Sequence, residues 1–299
     1  MAGSMIGIPK TILLATDLSP RCDRATDRAV ALAGEWQAML VVLHVLEDAE
    51  AGGLHDYGPV PSWRRPPDPV AVARQRLLED LGPAVAQSRI RIREGEPVDT
   101  ILATAEAEGC DLIVTGVAQD EEFGRFRLGK SVDRLLRRSR VPLLVVRNRA
   151  RAAYRTVVAA TDFSDPARHA LQVTDRLFPE CKLTLFHAYD VPRQTLADNP
   201  ATFRKACEDA VMERCERFLK QVGLLGRHRP RPDVLVEQGD PARLLREYVR
   251  VAKVDLVTMG TRGSSGFLDM FLGSTAKEIL AELPCDALVV RDPQASVET

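Results

Sequence analysis

The chain is written twice. KTILLATDLSP (10–20) returns as RTVVAATDFSD (155–165), and VVLHVLED (41–48) as TLFHAYDV (184–191). REGEPVDTILATAEAEGCDLIVTG (93–116) returns as EQGDPARLLREYVRVAKVDLVTMG (237–260), and PLLVVR (142–147) as DALVVR (286–291). The offset stays between 143 and 145 residues, so insertions are few and one structural unit is repeated whole. Two homologous domains, 1–149 and 150–299, joined near 148–153, are expected; 299 residues suffice for two separate cores.

Each copy alternates short Val/Ile/Leu-rich runs with amphipathic stretches of 3.6-residue period. In the first copy strands are predicted at 10–16, 39–46, 88–94, 111–116 and 142–147, with helices near 20–36, 69–87, 97–109 and 129–139. In the second copy strands are predicted near 155–161, 182–189, 232–237, 255–259 and 286–291, with helices near 165–178, 200–223, 241–253 and 273–282. Pro97 and Pro241 suit first helical turns, and Ser19 and Ser164 suit N-caps. Strands alternating with helices predict an α/β fold: two tandem doubly wound five-stranded parallel sheets covered on both faces.

Composition narrows the function classes. The net charge is −1 and each half is close to neutral, which gives no electrostatic reason to expect nucleic acid or an anionic membrane as partner. No apolar run approaches the ~20 residues of a membrane span, and MAGSMIGIPK lacks the marks of a signal peptide. The six cysteines are scattered without a C-x-x-C pair, as expected of reduced thiols in a cytoplasmic protein.

The chemistry-bearing stretch is GTRGSSGFLDMFLGS (260–274). Strand, glycine-rich loop and helix together present backbone N–H groups and a positive helix end to an anion, foremost a nucleotide phosphate. Glycines also build turns and caps, but Gly260, Gly263 and Gly273 stand in fixed register before Ser274 and Thr275 at a helix start. The amides of Gly263, Gly273, Ser274 and Thr275 are the candidate phosphate donors. Arg262 and Lys277 are candidate charge partners, or simply solvated side chains.

Asp162 closes the first strand of its copy, as Asp17 does in the other. Its carboxylate suits ribose hydroxyls or an adenine amino group, and equally the capping of the next helix. Ligands of doubly wound sheets bind where the winding reverses, so both motifs share one crevice if strands one and four are neighbours. His44 and His187, late in the second strands, read as rim or core residues rather than catalysts.

Residues 124–131, GRFRLGKS, spell a Walker A loop. Such a loop leaves its strand directly, whereas here residues 117–123 intervene. Repeat register instead aligns Gly116 with Gly260, Gln119 with Gly263, Gly129 with Gly273 and Lys130 with Ser274, a degenerate copy of the glycine loop. Arg125, Arg127, Arg134, Arg137, Arg138 and Arg140 make this stretch locally basic, a solvated face or a non-nucleotide anion site. Segment 47–68, rich in Pro and Gly, is a lid or partner-loop candidate.

The Asp-bearing first strand, the G-x2-G-x9-G-S loop and the terminal LVVR strand together resemble the universal stress protein family, over essentially the whole chain as two tandem domains. The resemblance implies a Rossmann-like sheet of strand order 3-2-1-4-5 and ATP, which Mg can accompany, in the second domain. It implies that Asp162 contacts the adenosine part and that Gly260, Gly263, Gly273, Ser274 and Thr275 hold ribose and phosphates. Main-chain groups around His187 and Ala188 would line the adenine pocket. The first copy, lacking the second glycine and the serine, is not expected to bind ATP. Family domains pair through their last strands, which implies an intrachain pseudo-dimer through 142–147 and 286–291, with a homodimer as a further assembly. The expected role is stress response or signalling with an unidentified protein partner, with at most slow ATP hydrolysis. A nucleotide-free scaffold, or a binder of another small anion, is the alternative. An ATP-using ligase or nucleotidyltransferase is less favoured, because neither a HIGH-like nor an SGGxDS-like signature is present.

Overall fold

The computed structural model describes residues 8–20, 22–47, 68–117, 121–122, 125–126, 129–190, 200–225, 231–261 and 273–291. They form two compact units, one built on residues 8–117 and 129–153, the other on residues 154–291. The first unit contains β1 (Thr11–Thr16), α1 (Asp23–Trp36), β2 (Met39–Leu46), α2 (Pro69–Leu81), β3 (Ser88–Glu94), α3 (Pro97–Ala107) and β4 (Leu112–Gly116). The short antiparallel pair β5 (Glu121–Glu122) and β6 (Arg125–Phe126) comes next in the chain, then α4 (Lys130–Arg138) and β7 (Leu143–Val146). The second unit contains β8 (Thr156–Ala160), α5 (Asp165–Leu177), β9 (Lys182–Tyr189), α6 (Pro200–Val222), β10 (Asp233–Gln238), α7 (Pro241–Ala252), β11 (Leu256–Gly260), α8 (Ser274–Glu282) and β12 (Asp286–Val290).

Within the first unit the strands run β3-β2-β1-β4-β7, and within the second β10-β9-β8-β11-β12. Every one of these pairings is parallel. Both orders are the expected 3-2-1-4-5. Parallel neighbours need crossover connections, and the amphipathic helices supply them while covering both faces. Ile12, Leu13, Leu14, Val41, Val158, Leu185 and Val257 are accordingly inaccessible to solvent. Each such side chain contributes about 1.5–3 kcal/mol relative to exposure.

One polar device fixes strand four beside strand one in both units. The Asp111 carboxylate accepts from the Lys10 and Thr11 amides at 2.7 and 3.1 Å. Asp255 accepts from the Arg155 and Thr156 amides at 2.8 and 2.9 Å. The carboxylate before the strand thus pairs with the otherwise open start of its neighbour and sets the register that ends at the crevice.

Two expected boundaries shift. The helix predicted over 69–87 is α2 only to Leu81 and then a 3-10 turn over Gly82–Gln87, because Gly82 takes φ 50° and Pro83 cannot continue an α-helix. Ser164 caps α5 as expected, but Ser19 does not cap α1, which starts beyond Cys22. There the Cys22 amide donates to the Ser19 carbonyl and closes a turn ahead of the helix. Pro97 and Pro241 occupy first turns of α3 and α7. Residues 48–67 of the lid candidate lie outside the described residues.

Candidate functional site

In the second unit β8 and β11 are neighbours, so the winding reverses between them and a crevice opens at their carboxyl ends. The chain leaves β8 through a tight turn made by its own side chains. Thr161 Oγ1 accepts from the Phe163 amide at 2.9 Å, and Asp162 Oδ1 accepts from the Ser164 amide at 3.0 Å and from Ser164 Oγ at 2.5 Å. Ser164 Oγ in turn accepts from the Ala167 amide at 3.3 Å, capping α5. Phe163, at the centre, is held at φ 66°, a left-handed conformation that an aromatic residue seldom takes. Asp162 therefore holds the turn and the capping serine, while the cap itself is Ser164.

His187 on β9 bonds through Nδ1 to the Thr161 carbonyl at 2.8 Å. A carbonyl only accepts, so Nδ1 carries the proton and holds the ring beside the turn. The Phe163 ring lies 4.3 Å from the His187 ring, and the Arg214 guanidinium of α6 lies 4.4 Å over Phe163. Burial pushes the His187 pKa below its ordinary value of 6.5; the Thr161 bond opposes this and Arg214 adds to it. A depressed histidine lets the unfolded chain take up the proton first, so its contribution is a loss of stability as pH falls through 6.5. His187→Gln is expected to flatten the fall in urea midpoint between about pH 7.5 and about pH 5.5. Identical pH slopes in the two proteins would contradict this.

The opposite wall is the start of α8. Gly273 is its N-cap and offers no side chain to the helix end, and no acidic residue stands in the first turn. The first intrahelical bond runs from the Lys277 amide to the Gly273 carbonyl at 3.1 Å, so the amides of Ser274, Thr275 and Ala276 precede the ladder. By contrast α2, α3, α5 and α7 are each capped by a side chain, from Asp68, Glu96, Ser164 and Asp240. The Gly273 amide, counted among the phosphate donors from the sequence, donates instead to the Thr261 carbonyl at 3.2 Å. It ties the helix start back to the end of β11.

Gly260 is required for a reason other than ligand approach. A Cβ there would stand 2.8 and 2.9 Å from the Pro166 carbonyl carbon and oxygen and 3.0 Å from the Ala167 nitrogen. The strand end and the first turn of α5 touch backbone to backbone, which only glycine permits.

These parts enclose a cavity of about 310 Å³. Asp162, His187 and Ala188 line one side, and Gly260, Gly273, Ser274 and Thr275 the other. Arg262 and Gly263 lie outside the described residues. The apolar walls, missed from the sequence, come from Ala167, Phe186, Met259, Ala276 and Ile279. Mostly apolar walls with a few converging polar groups are the usual make-up of a small-molecule site. Among the described residues no cluster of three or more His, Cys, Asp or Glu is arranged to hold a metal ion.

The first unit repeats the turn, though not the serine cap. Thr16 Oγ1 accepts from the Leu18 amide at 3.1 Å, Asp17 Oδ1 from the Ser19 amide at 2.8 Å, and Leu18 takes φ 58°. His44 Nδ1 meets the Thr16 carbonyl at 3.0 Å. Its crevice is smaller, about 170 Å³, and carries two carboxylates, Asp17 and Glu47. Burial, with the Asp17 carboxylate beside it, pushes the Cys22 thiol up to about 11, so it stays protonated. Burial raises Asp17 in turn, but hydrogen bonds from Ser19 and Cys22 outweigh it and leave its pKa lowered. Here α4 opens on Lys130 and bears Asp133 in its first turn.

β4 ends at Gly116, and β5 and β6 precede α4, so the Walker-like letters do not directly follow a strand of the sheet. Three of the nearby arginines are paired: Arg134 with Glu96, Arg138 with Asp99 and Arg137 with Asp133. Exposed pairs of this kind contribute little stability, but they occupy the guanidinium groups. Among the described residues no helix is long and apolar enough to cross a membrane.

Comparison with known proteins identifies the family and the fold. The universal stress protein family model fits residues 9–147 and again 153–291. A universal stress protein of Thermus aquaticus is 33% identical over 144 residues, covering 46% of this chain and 99% of the relative. Two solved structures share the fold across both halves. A putative universal stress protein of Pseudomonas aeruginosa aligns at 19% identity and TM-score 0.67, covering 98% of this chain and 96% of its own. A universal stress protein of Archaeoglobus fulgidus aligns at 19% identity and TM-score 0.64, covering 94% and 98%. The chain therefore belongs to the universal stress protein family, as a member carrying two copies of the family domain in tandem.

Proposed function

We propose that the second unit is an ATP-binding domain and the first is not, and that the chain acts in a cytoplasmic stress response by coupling nucleotide occupancy to partner binding. The observation that carries this reading is the uncapped start of α8 facing the Asp162 turn across an apolar-walled cavity. Amides and the positive helix end suit phosphates, the carboxylate suits ribose hydroxyls, and the apolar walls suit a base. Arg262 and Gly263 complete the phosphate loop in this reading. Any magnesium ion arrives on the nucleotide's own phosphates.

The role is binding and signalling, with at most slow ATP hydrolysis. Among the described lining residues the one imidazole, His187, bonds through Nδ1 to the Thr161 carbonyl and serves to hold the turn. The first unit retains the turn and its aspartate but answers with a smaller cavity, a second lining carboxylate (Glu47) and an acidic first turn, each unfavourable to a triphosphate.

Mass spectrometry of ligand released from freshly purified protein, with thermal unfolding in added ATP, tests the proposal. Released adenine nucleotide or a rise in Tm with ATP is expected. Protein that carries no nucleotide and is not stabilised by ATP would favour the nucleotide-free scaffold instead.

A further inference from the structure

The Walker-like letters lie between β4 and α4, and the described residues of that stretch form the antiparallel pair β5 and β6. The pair joins neither parallel sheet. Its letters come from the first copy, yet it groups with the second unit and not with the first. There β6 packs against α8, the helix whose first turn walls the second crevice. α8 has nine residues and is about 13 Å long, so an element seated on it stands close to the Ser274 end.

The pair is too short to persist alone. β5 and β6 are joined only at Glu121–Phe126 and Glu122–Arg125, and even a full isolated hairpin is marginal in water. Its seat on α8 is therefore what holds it. An element of this kind belongs to the low-stability end of a fold, where a small bias changes its population. Charge gives that bias a sign. β6, the strand against α8, carries Arg125, whereas Glu121 and Glu122 belong to β5. A triphosphate at the start of α8 brings several negative charges toward the basic strand and favours its seat.

We propose that the β5–β6 pair reads the state of the second crevice: bound triphosphate steadies it on α8, and an empty crevice lets it detach. This rests on the ATP reading above and deepens it, by naming the segment whose state follows the nucleotide. The first copy has Gln119 and Lys130 where the second has Gly263 and Ser274. In place of a phosphate loop of its own it supplies a reporter for the other unit's site. Linkage makes the effect reciprocal: the factor by which ATP strengthens the seat is the factor by which the seat strengthens ATP binding.

Amide exchange at residues 121, 122, 125 and 126 of the full chain, with and without saturating ATP, tests this. Slowing by about fivefold or more in ATP is expected. Adenosine, which fills the crevice without phosphate charge, is expected to leave exchange unchanged. Arg125→Pro removes an amide from β6 and fixes φ, so it should abolish the slowing and weaken ATP in isothermal titration by the same factor. Arg125→Gln keeps the amide and loses the charge, and is expected to fall between. The urea midpoint of the second unit is read alongside, and if Arg125→Pro lowers it, Arg125→Gln carries the comparison.

Wild-type protein that does not bind ATP overturns the functional reading itself. ATP that binds while exchange at these residues stays the same overturns the present inference alone. Equal slowing by adenosine, or ATP binding of wild-type strength in both Arg125 variants, would overturn it as well.

Discussion

Gly260→Ala is expected to destabilise the second unit by about 2–3 kcal/mol, the upper range for overpacking a close contact. The added carbon would meet main-chain atoms of Pro166 and Ala167 at 2.8–3.0 Å, and backbone cannot turn away as a side chain can. Relief requires β11 and α5 to separate, which breaks the Thr258–Thr174 hydroxyl contact at 2.9 Å and opens the interior around Val257. The loss should appear in urea denaturation as a lowered midpoint for the second unit, with the first unit's transition in place. An unchanged midpoint would mean that the strand end and helix do not meet as described. Because Gly260 also lines the crevice, ligand binding should fall with stability rather than independently of it.

Ser274→Asp should do the reverse, separating binding from folding. A carboxylate in the first turn of α8 complements the helix dipole and is worth about 0.3–1 kcal/mol of added stability. In the same place it brings a negative charge to the amides proposed for phosphate. Two unit charges about 4 Å apart at an effective dielectric near 20 repel by about 4 kcal/mol, enough to lower ATP affinity by two orders of magnitude or more. Equal or greater Tm with ATP binding lost is the expected pair of observations. ATP binding of wild-type strength in a folded Ser274→Asp protein would move the phosphates away from α8.

The repeat made most of the fold legible, since among the described residues every strand of the two parallel sheets recurs with its neighbours and covering helices, and the Val/Ile/Leu runs mark buried strands; the short β5–β6 pair, which does not recur, was not expected. What escaped was local. Nothing in the letters at 82–83 distinguishes a 3-10 turn from continued α2, because the decision lies in the positive φ of Gly82. Ser19 and Ser164 look alike, yet only Ser164 caps its helix, the other chain turning once more through Cys22. In the site, Asp162, Ser274 and Thr275 were readable because polar residues at strand and helix ends carry a chemical signature. Gly260 was readable as necessary but not for its reason, which is the approach of α5 rather than of a ligand. The alanines at 167 and 276 were unreadable: a methyl group signals nothing until the space beside it is seen.

The central claim is asymmetry between two units of one fold. Isothermal titration of ATP into the wild-type chain, with Ser274→Asp as control, addresses it most directly. About one ATP per chain, abolished by Ser274→Asp, is the expected result. Two equivalents of similar affinity, or binding unaffected by Ser274→Asp, would contradict it.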